Sequence, residues 1–198
     1  MKRIAIFASG GGSNALRFMQ YFEDVQEVDV ALVVTNKKSA GVLQHATEYD
    51  VPTLVMDRSY FYKGKCILEV LRNEQIDLIV LAGFLWLVPE YLVQAYPNKI
   101  VNIHPALLPK YGGKGMYGHH VHTAVKAAGE KESGMTIHYV NERFDEGAHI
   151  YQAKCDISTS DSANDIAAKV LALEHKYYAS VVHGILVPEQ KVNNHTKD

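Results

Sequence analysis

The apolar run from Ile4 to Ala8 stops abruptly at Ser9-Gly10-Gly11-Gly12-Ser13-Asn14, after which Leu16, Met19, Tyr21 and Phe22 recur at helical spacing. A strand that enters a glycine turn and leaves as a helix cannot return as a hairpin. It must cross over a sheet, which commits the chain to a buried, largely parallel architecture.

The rest of the chain repeats that alternation. Strands are expected at Val28 to Val34, Thr53 to Val55, Ile76 to Gly83, Ile100 to Ile103, Met135 to Val140 and His149 to Cys155. Helices are expected at Ala15 to Phe22, Gly41 to Tyr49, Tyr62 to Asn73, Pro89 to Tyr96, Val121 to Ala128 and Asp161 to Gly184. On the last helix Ile166, Val170, Leu173, Tyr177 and Val181 form the expected apolar stripe. The fold class that follows is α/β: a Rossmann-like three-layer sandwich with a mostly parallel central sheet of about seven strands, helices on both faces and a final hairpin-like pair. Residues 1–188 read as one domain and 189–198 as a polar C-terminal tail. Ligands of such folds bind beyond the carboxyl ends of the strands.

Composition narrows the partners. Lys plus Arg is 20 and Asp plus Glu is 22, for a net charge of −2, so no excess of positive charge attracts nucleic acid. Cys66 and Cys155 have no C-x-x-C spacing, which disfavours a disulfide scaffold or a cysteine zinc site and suits a reducing, cytoplasmic setting. The apolar start is too short for a signal-peptide core, and no run approaches the roughly 18 apolar residues of a membrane helix.

Two stretches carry chemistry. Gly10 to Asn14 places glycines and a free helix N-terminus together, a geometry that favours a phosphate. A turn needed only for strand-to-helix geometry, with Ser13 as an ordinary helix cap, is the competing reading. Asn102-Ile103-His104-Pro105 ends a strand; alternation puts Asn102 and His104 on one side, and Pro105 stiffens the backbone that presents the imidazole. Asp145, in the loop between the last two strands, either sits near His104 and raises its pKa or belongs to an ordinary turn with Gly147. Leu85-Trp86-Leu87-Val88 is an apolar wall for a flat ring or plain core. His119, His120 and His122 have no neighbouring carboxylate or thiolate and suit a mobile loop better than a zinc site. Met116 and Tyr117 are lid residues or merely exposed. Glu174 by itself reads as a solvated charge.

Gly-Gly-Ser-Asn at 11 to 14, Leu-Ala-Gly-Phe at 81 to 84, Asn-Ile-His-Pro-Ala-Leu-Leu-Pro-Lys-Tyr at 102 to 111 and Asp-Glu-Gly at 145 to 147 together resemble the folate-dependent formyltransferase family. The glycine-Ser-Asn loop and the chain length point within it to the phosphoribosylglycinamide branch of purine biosynthesis. The resemblance runs from about residue 2 to 188. It implies transfer of a formyl group from 10-formyltetrahydrofolate, as co-substrate, to the amine of glycinamide ribonucleotide without a metal. It also implies that Asn102, His104 and Asp145 are catalytic, that Gly12, Ser13 and Asn14 hold the phosphate and that Glu174 holds the ribose. Leu85, Trp86, Leu87, Val88, Asn141 and Phe144 would line the folate pocket, with a basic contact from Lys63 or Lys65. A cis bond at Leu108-Pro109 and a monomer or weak homodimer are further expectations. The Gly112 to His120 segment is longer than in compact bacterial members, so the family offers no role for its histidines.

Overall fold

The computed structural model describes residues 1–64 and 66–188; Lys65 and the tail at 189–198 lie outside the described residues. The chain alternates β1 (Lys2–Ala8), α1 (Ser13–Phe22), β2 (Val28–Thr35), α2 (Val42–Glu48), β3 (Thr53–Val55), a π turn at Tyr60–Gly64, α3 (Cys66–Asn73), β4 (Leu78–Leu81), α4 (Glu90–Ala95), β5 (Ile100–His104), α5 (His119–Ala127), β6 (Glu132–Tyr139), β7 (His149–Asp156) and α6 (Ala163–Leu186). Among the described residues seven strands form one sheet in the order β3-β2-β1-β4-β5-β6-β7. The first five are parallel, and β6 and β7 run antiparallel as the hairpin-like pair.

Strand alternation explains the two cores. Ile4, Ile6 and Ala8 point to one face, where they meet Phe18, Val42, Val125, Val170 and Tyr178 from α1, α2, α5 and α6. Ala5 and Phe7 point to the other, against Phe61, Ile67, Leu71 and Leu92 from the π turn, α3 and α4. β1 and β4 are buried on both sides, which is why they read as continuous apolar runs.

Three expectations are corrected. The helix expected at Tyr62 to Asn73 is broken: a π turn places Phe61 in the core and leaves Lys63 exposed before α3 begins. The first helix starts at Ser13, not Ala15. The buried row of α6 is Ile166, Val170, Glu174, Tyr178 and Val182, while Leu173, Tyr177 and Val181 are only partly buried. The i, i+4 row slants around the helix axis, so two polar residues occupy places that an apolar stripe had been assigned. Leu108-Pro109 is cis, as the family resemblance implies. No helix among the described residues is long and apolar enough to cross a membrane.

β6 and β7 approach so closely at Gly134 that a Cβ there would lie 2.1 Å from the Ala153 carbonyl oxygen. Gly134→Ala is therefore expected to destabilise the protein by roughly 2–4 kcal/mol, read as a lower denaturant midpoint at unchanged m-value. A midpoint equal to that of the parent would contradict the β6–β7 register.

Candidate active site

A cavity of about 500 Å³ opens beyond the carboxyl ends of β1, β4 and β5, and its wall contains nearly every residue singled out from the sequence. Gly10 to Asn14 form one end. Gly12 adopts φ +77°, and a Cβ there would come within 2.6 Å of the Val42 side chain, so conformation and space both require glycine. Gly12 is the N-cap of α1 and no side chain caps the helix, which corrects the reading of Ser13 as the cap. The first backbone bond of α1 joins the Leu16 N–H to the Gly12 carbonyl, so the N–H groups of Ser13, Asn14 and Ala15 have no helical acceptor. An uncapped helix end with no acidic residue in its first turn is suited to an anion.

Glu174 faces the same end. It is 8% exposed rather than solvated, and its Oε2 accepts a 2.7 Å hydrogen bond from Asn14 Nδ2. Burial raises the pKa of its carboxyl, and the Asn14 bond partly offsets that rise. The Asn14 Oδ1 is buried with no partner.

The other end is aromatic. Leu85 and Leu87 are exposed, whereas Val88 is buried in the core and Trp86 lies between, against Phe61 and Phe84. The segment is thus both wall and core by alternate residues, and all four line the cavity together with Asn141 and Phe144. Ser9 ties the ends together: its N–H donates to the Gly83 carbonyl at 3.1 Å and its Oγ accepts the Leu85 N–H at 2.9 Å. Lys63 is exposed and is not among the residues that line the cavity. Among the described residues Arg58 stands beside the wall, its guanidinium carbon 5.6 Å from the Tyr62 ring centroid and 5.9 Å from that of Trp86.

Between the two ends sit Asn102, His104 and Asp145. The cross-strand partner of Asn102 is His138, so their side chains share a face, and Asn102 Nδ2 donates to His138 Nε2 at 3.1 Å while His138 Nδ1 donates to the Tyr139 carbonyl at 3.0 Å. His104 is 3% exposed; its Nε2 donates to the Tyr111 carbonyl at 2.7 Å, leaving Nδ1 facing Asp145 Oδ2 at 3.5 Å. Asp145 also receives the Gly113 N–H at 3.0 Å and lies 3.6 Å from His138 Nε2. The backbone after His104 is clamped. The Thr136 hydroxyl donates to the Ala106 carbonyl and accepts the Leu108 N–H, and Gln152 Nε2 donates to both the Leu108 carbonyl and Thr136.

Electrostatics follow from burial. The pKa of His104 is lowered, because desolvation outweighs the opposing pull of Asp145 and Tyr111; the upward pull expected from Asp145 is present, but burial sets the net sign. Burial also pushes the Asp145 carboxyl upward, but the His138 and His104 rings and the Gly113 N–H together hold it below the ordinary carboxylate value.

A family model described as formyl transferase matches residues 2–182. The chain belongs to the formyl transferase family. It is 43% identical over 190 residues to the chloroplastic phosphoribosylglycinamide formyltransferase of Arabidopsis thaliana, covering 93% of this chain and 65% of that one, so it spans just under two thirds of that relative. It is 37% identical to the phosphoribosylglycinamide formyltransferase of Bacillus subtilis, covering 94% and 95%. The crystal structure of the phosphoribosylglycinamide formyltransferase of Bacillus halodurans superposes with a TM-score of 0.86 at 35% identity, covering 96% of this chain and 98% of that one.

One residue lining the site escaped the sequence reading: His138 sits in an apolar strand, though its strand partner Asn102 was recognised. Arg58, beside the aromatic wall, precedes the π turn that no periodicity announces. In the loop before α5 Gly113, Gly115 and Gly118 all have positive φ and Met116 packs on the core. His119, His120 and His122 lie on α5 rather than in a mobile loop, which corrects that expectation; His119 and His122 line the cavity with Tyr117, while His120 is exposed against the Tyr117 ring. Among the described residues no group of three or more His, Cys, Asp or Glu is arranged to hold a metal ion.

Buried His122, whose pKa is lowered chiefly by desolvation, yields a stability test. A histidine held neutral in the fold stabilises it above the unfolded-state pKa of about 6.5, and that contribution is lost as pH falls below it. The fall in thermal midpoint from pH 7.5 to pH 5.5 should be smaller in His122→Asn than in the parent. An equal or larger fall would show that His122 is not held neutral.

Proposed function

We propose that this chain transfers the formyl group of 10-formyltetrahydrofolate to the amino group of glycinamide ribonucleotide. One observation carries the reading: a single cavity joins an uncapped glycine-loop helix end to an apolar aromatic wall, with Asn102, His104 and Asp145 between them. A ribonucleotide phosphate suits the first end and a pterin the second, so the amine and the formyl carbon would meet at the trio. The names and coverage of the relatives support the same substrates.

In this scheme Gly12, Ser13 and Asn14 bind the phosphate and Glu174 the ribose. Leu85, Trp86, Leu87, Val88, Asn141 and Phe144 hold the pterin. When the amine attacks the formyl carbon, charge develops on the formyl oxygen and the amine nitrogen becomes acidic. Asn102 Nδ2 has a second proton to offer that oxygen, and His104 Nε2–H does the same on exchanging the Tyr111 carbonyl for it. Oxyanion donors of this kind are typically worth on the order of 10² to 10³ in rate each. The amine proton passes to His104, where Asp145 stabilises the imidazolium beside it. The same proton then goes to the folate nitrogen as its bond to the formyl carbon breaks.

His104→Ala and Asp145→Ala should each lower turnover by about two decades or more while ribonucleotide affinity, measured by calorimetry, changes little. Wild-type turnover in either variant would remove that residue from the chemistry. Ser13→Asp sets a negative charge against the phosphate and should weaken ribonucleotide binding without weakening folate binding. Following folate absorbance with and without the ribonucleotide tests the reaction itself. Formyl loss only when both are present is expected; loss without the ribonucleotide would indicate a hydrolase, and no loss a binding module.

A further inference from the structure

α6 reaches α1 at the cavity rim and the sheet beneath it one helical turn apart. At the upper turn Glu174 accepts the hydrogen bond of Asn14, which lies in the first turn of α1. Four residues further along each helix, Phe18 and Tyr178 meet edge to face, with ring centroids 4.9 Å apart and planes at 90°. The two pairs lie on successive turns, so α1 and α6 are joined at two points.

The Tyr178 hydroxyl then reaches the sheet. It is fully enclosed, donates to the Leu81 carbonyl at 3.0 Å and lies 3.3 Å from the Val101 carbonyl. Leu81 is the last residue of β4 and lines the cavity, and Val101 directly precedes Asn102. Leu81 and Asn102 are neighbours in the β4–β5 ladder, so this one hydroxyl sits under the strand ends that carry the aromatic wall and the reacting trio. Burying a phenol oxygen costs free energy unless it is bonded, and a phenylalanine would fill the same apolar space without that cost. Phe18 and Phe22 on α1 show that the layer accepts such rings.

We propose that Tyr178 is a positioning residue for formyl transfer: its hydroxyl fixes the α1–α6 ribonucleotide cradle at a set distance from the ends of β4 and β5. The role rests on the reading that the amine donor is held at the glycine loop and Glu174 while the formyl group is held at Asn102. Tyr178 touches neither substrate. It fixes the offset between the two elements that do, and small errors in such an offset are costly in rate and cheap in binding.

Tyr178→Phe removes the hydroxyl and keeps the ring against Phe18. The wild type and this variant are compared by steady-state kinetics with both substrates, by calorimetric affinity for the ribonucleotide alone, and by thermal midpoint. Calorimetric stoichiometry gives the folded, binding-competent fraction, so that kcat is expressed per competent site even where the variant is less stable. Turnover per competent site is expected to fall about tenfold or more, with ribonucleotide Kd and folate KM within about twofold. Glu174→Gln, which alters the cradle itself, should show the opposite split, with the larger change in Kd. Unchanged turnover in Tyr178→Phe overturns the positioning role, as does a loss of turnover matched by an equal loss of affinity. A wild type that binds both substrates but transfers nothing overturns the assigned reaction, a failure visible before any variant is compared.

Discussion

Asp145 is the side chain around which the site is built. Its carboxylate is drawn largely out of water, where an unpaired anion would be prohibitively costly, so partners must converge on it from separate elements. The Gly113 N–H from the long loop donates to it, and His104 from β5 and His138 from β6 stand beside it as ion-pair partners once protonated. The backbone of Asp145 itself takes φ +55°, an unusual conformation for a residue with a side chain, which turns its carboxylate inward from a loop. The antiparallel turn of the sheet at β6 makes this possible, because the register that opposes Asn102 to His138 sets a second imidazole beside the first.

Around that cluster the fold divides labour by position. The glycine loop and α6 supply an anion-suited end, the segment after β4 supplies an apolar end, and Ser9, which leads into the glycine loop, bonds across to Gly83 and Leu85 of that segment. The clamp of Thr136 and Gln152 on the backbone at 106 to 108 stiffens the exit from His104. None of these polar groups reaches the cavity centre, yet each removes a degree of freedom from a group that does.

The sequence made the architecture legible because β1 and β4 are buried on both faces and therefore apolar throughout, and because Pro89 and the glycine turn punctuate the chain where the backbone changes direction. Asn102, His104 and Asp145 were legible for a different reason: a strand end, a rigid proline step and a turn carboxylate each have a local signature, strengthened by family resemblance. What stayed hidden depends on three-dimensional context. Glu174 reads as a surface charge until the slant of α6 turns it toward Asn14. His138 needs the β5–β6 register before it has a partner. Arg58 goes unmarked because helical periodicity does not anticipate the π turn that follows it. The sign of the His104 shift depends on how deeply the ring is enclosed, which no residue pattern states.

The protonation state of His104 is the most direct point of attack. ¹⁵N NMR of histidine-labelled protein should find the resting His104 ring as the Nε2–H tautomer, with a pKa below the ordinary value of about 6.5 that drops further when Asp145 is replaced by Asn. A ring that titrates above that value, or that carries its neutral-state proton on Nδ1, would show that the carboxylate rather than burial governs the imidazole and would contradict the site described above.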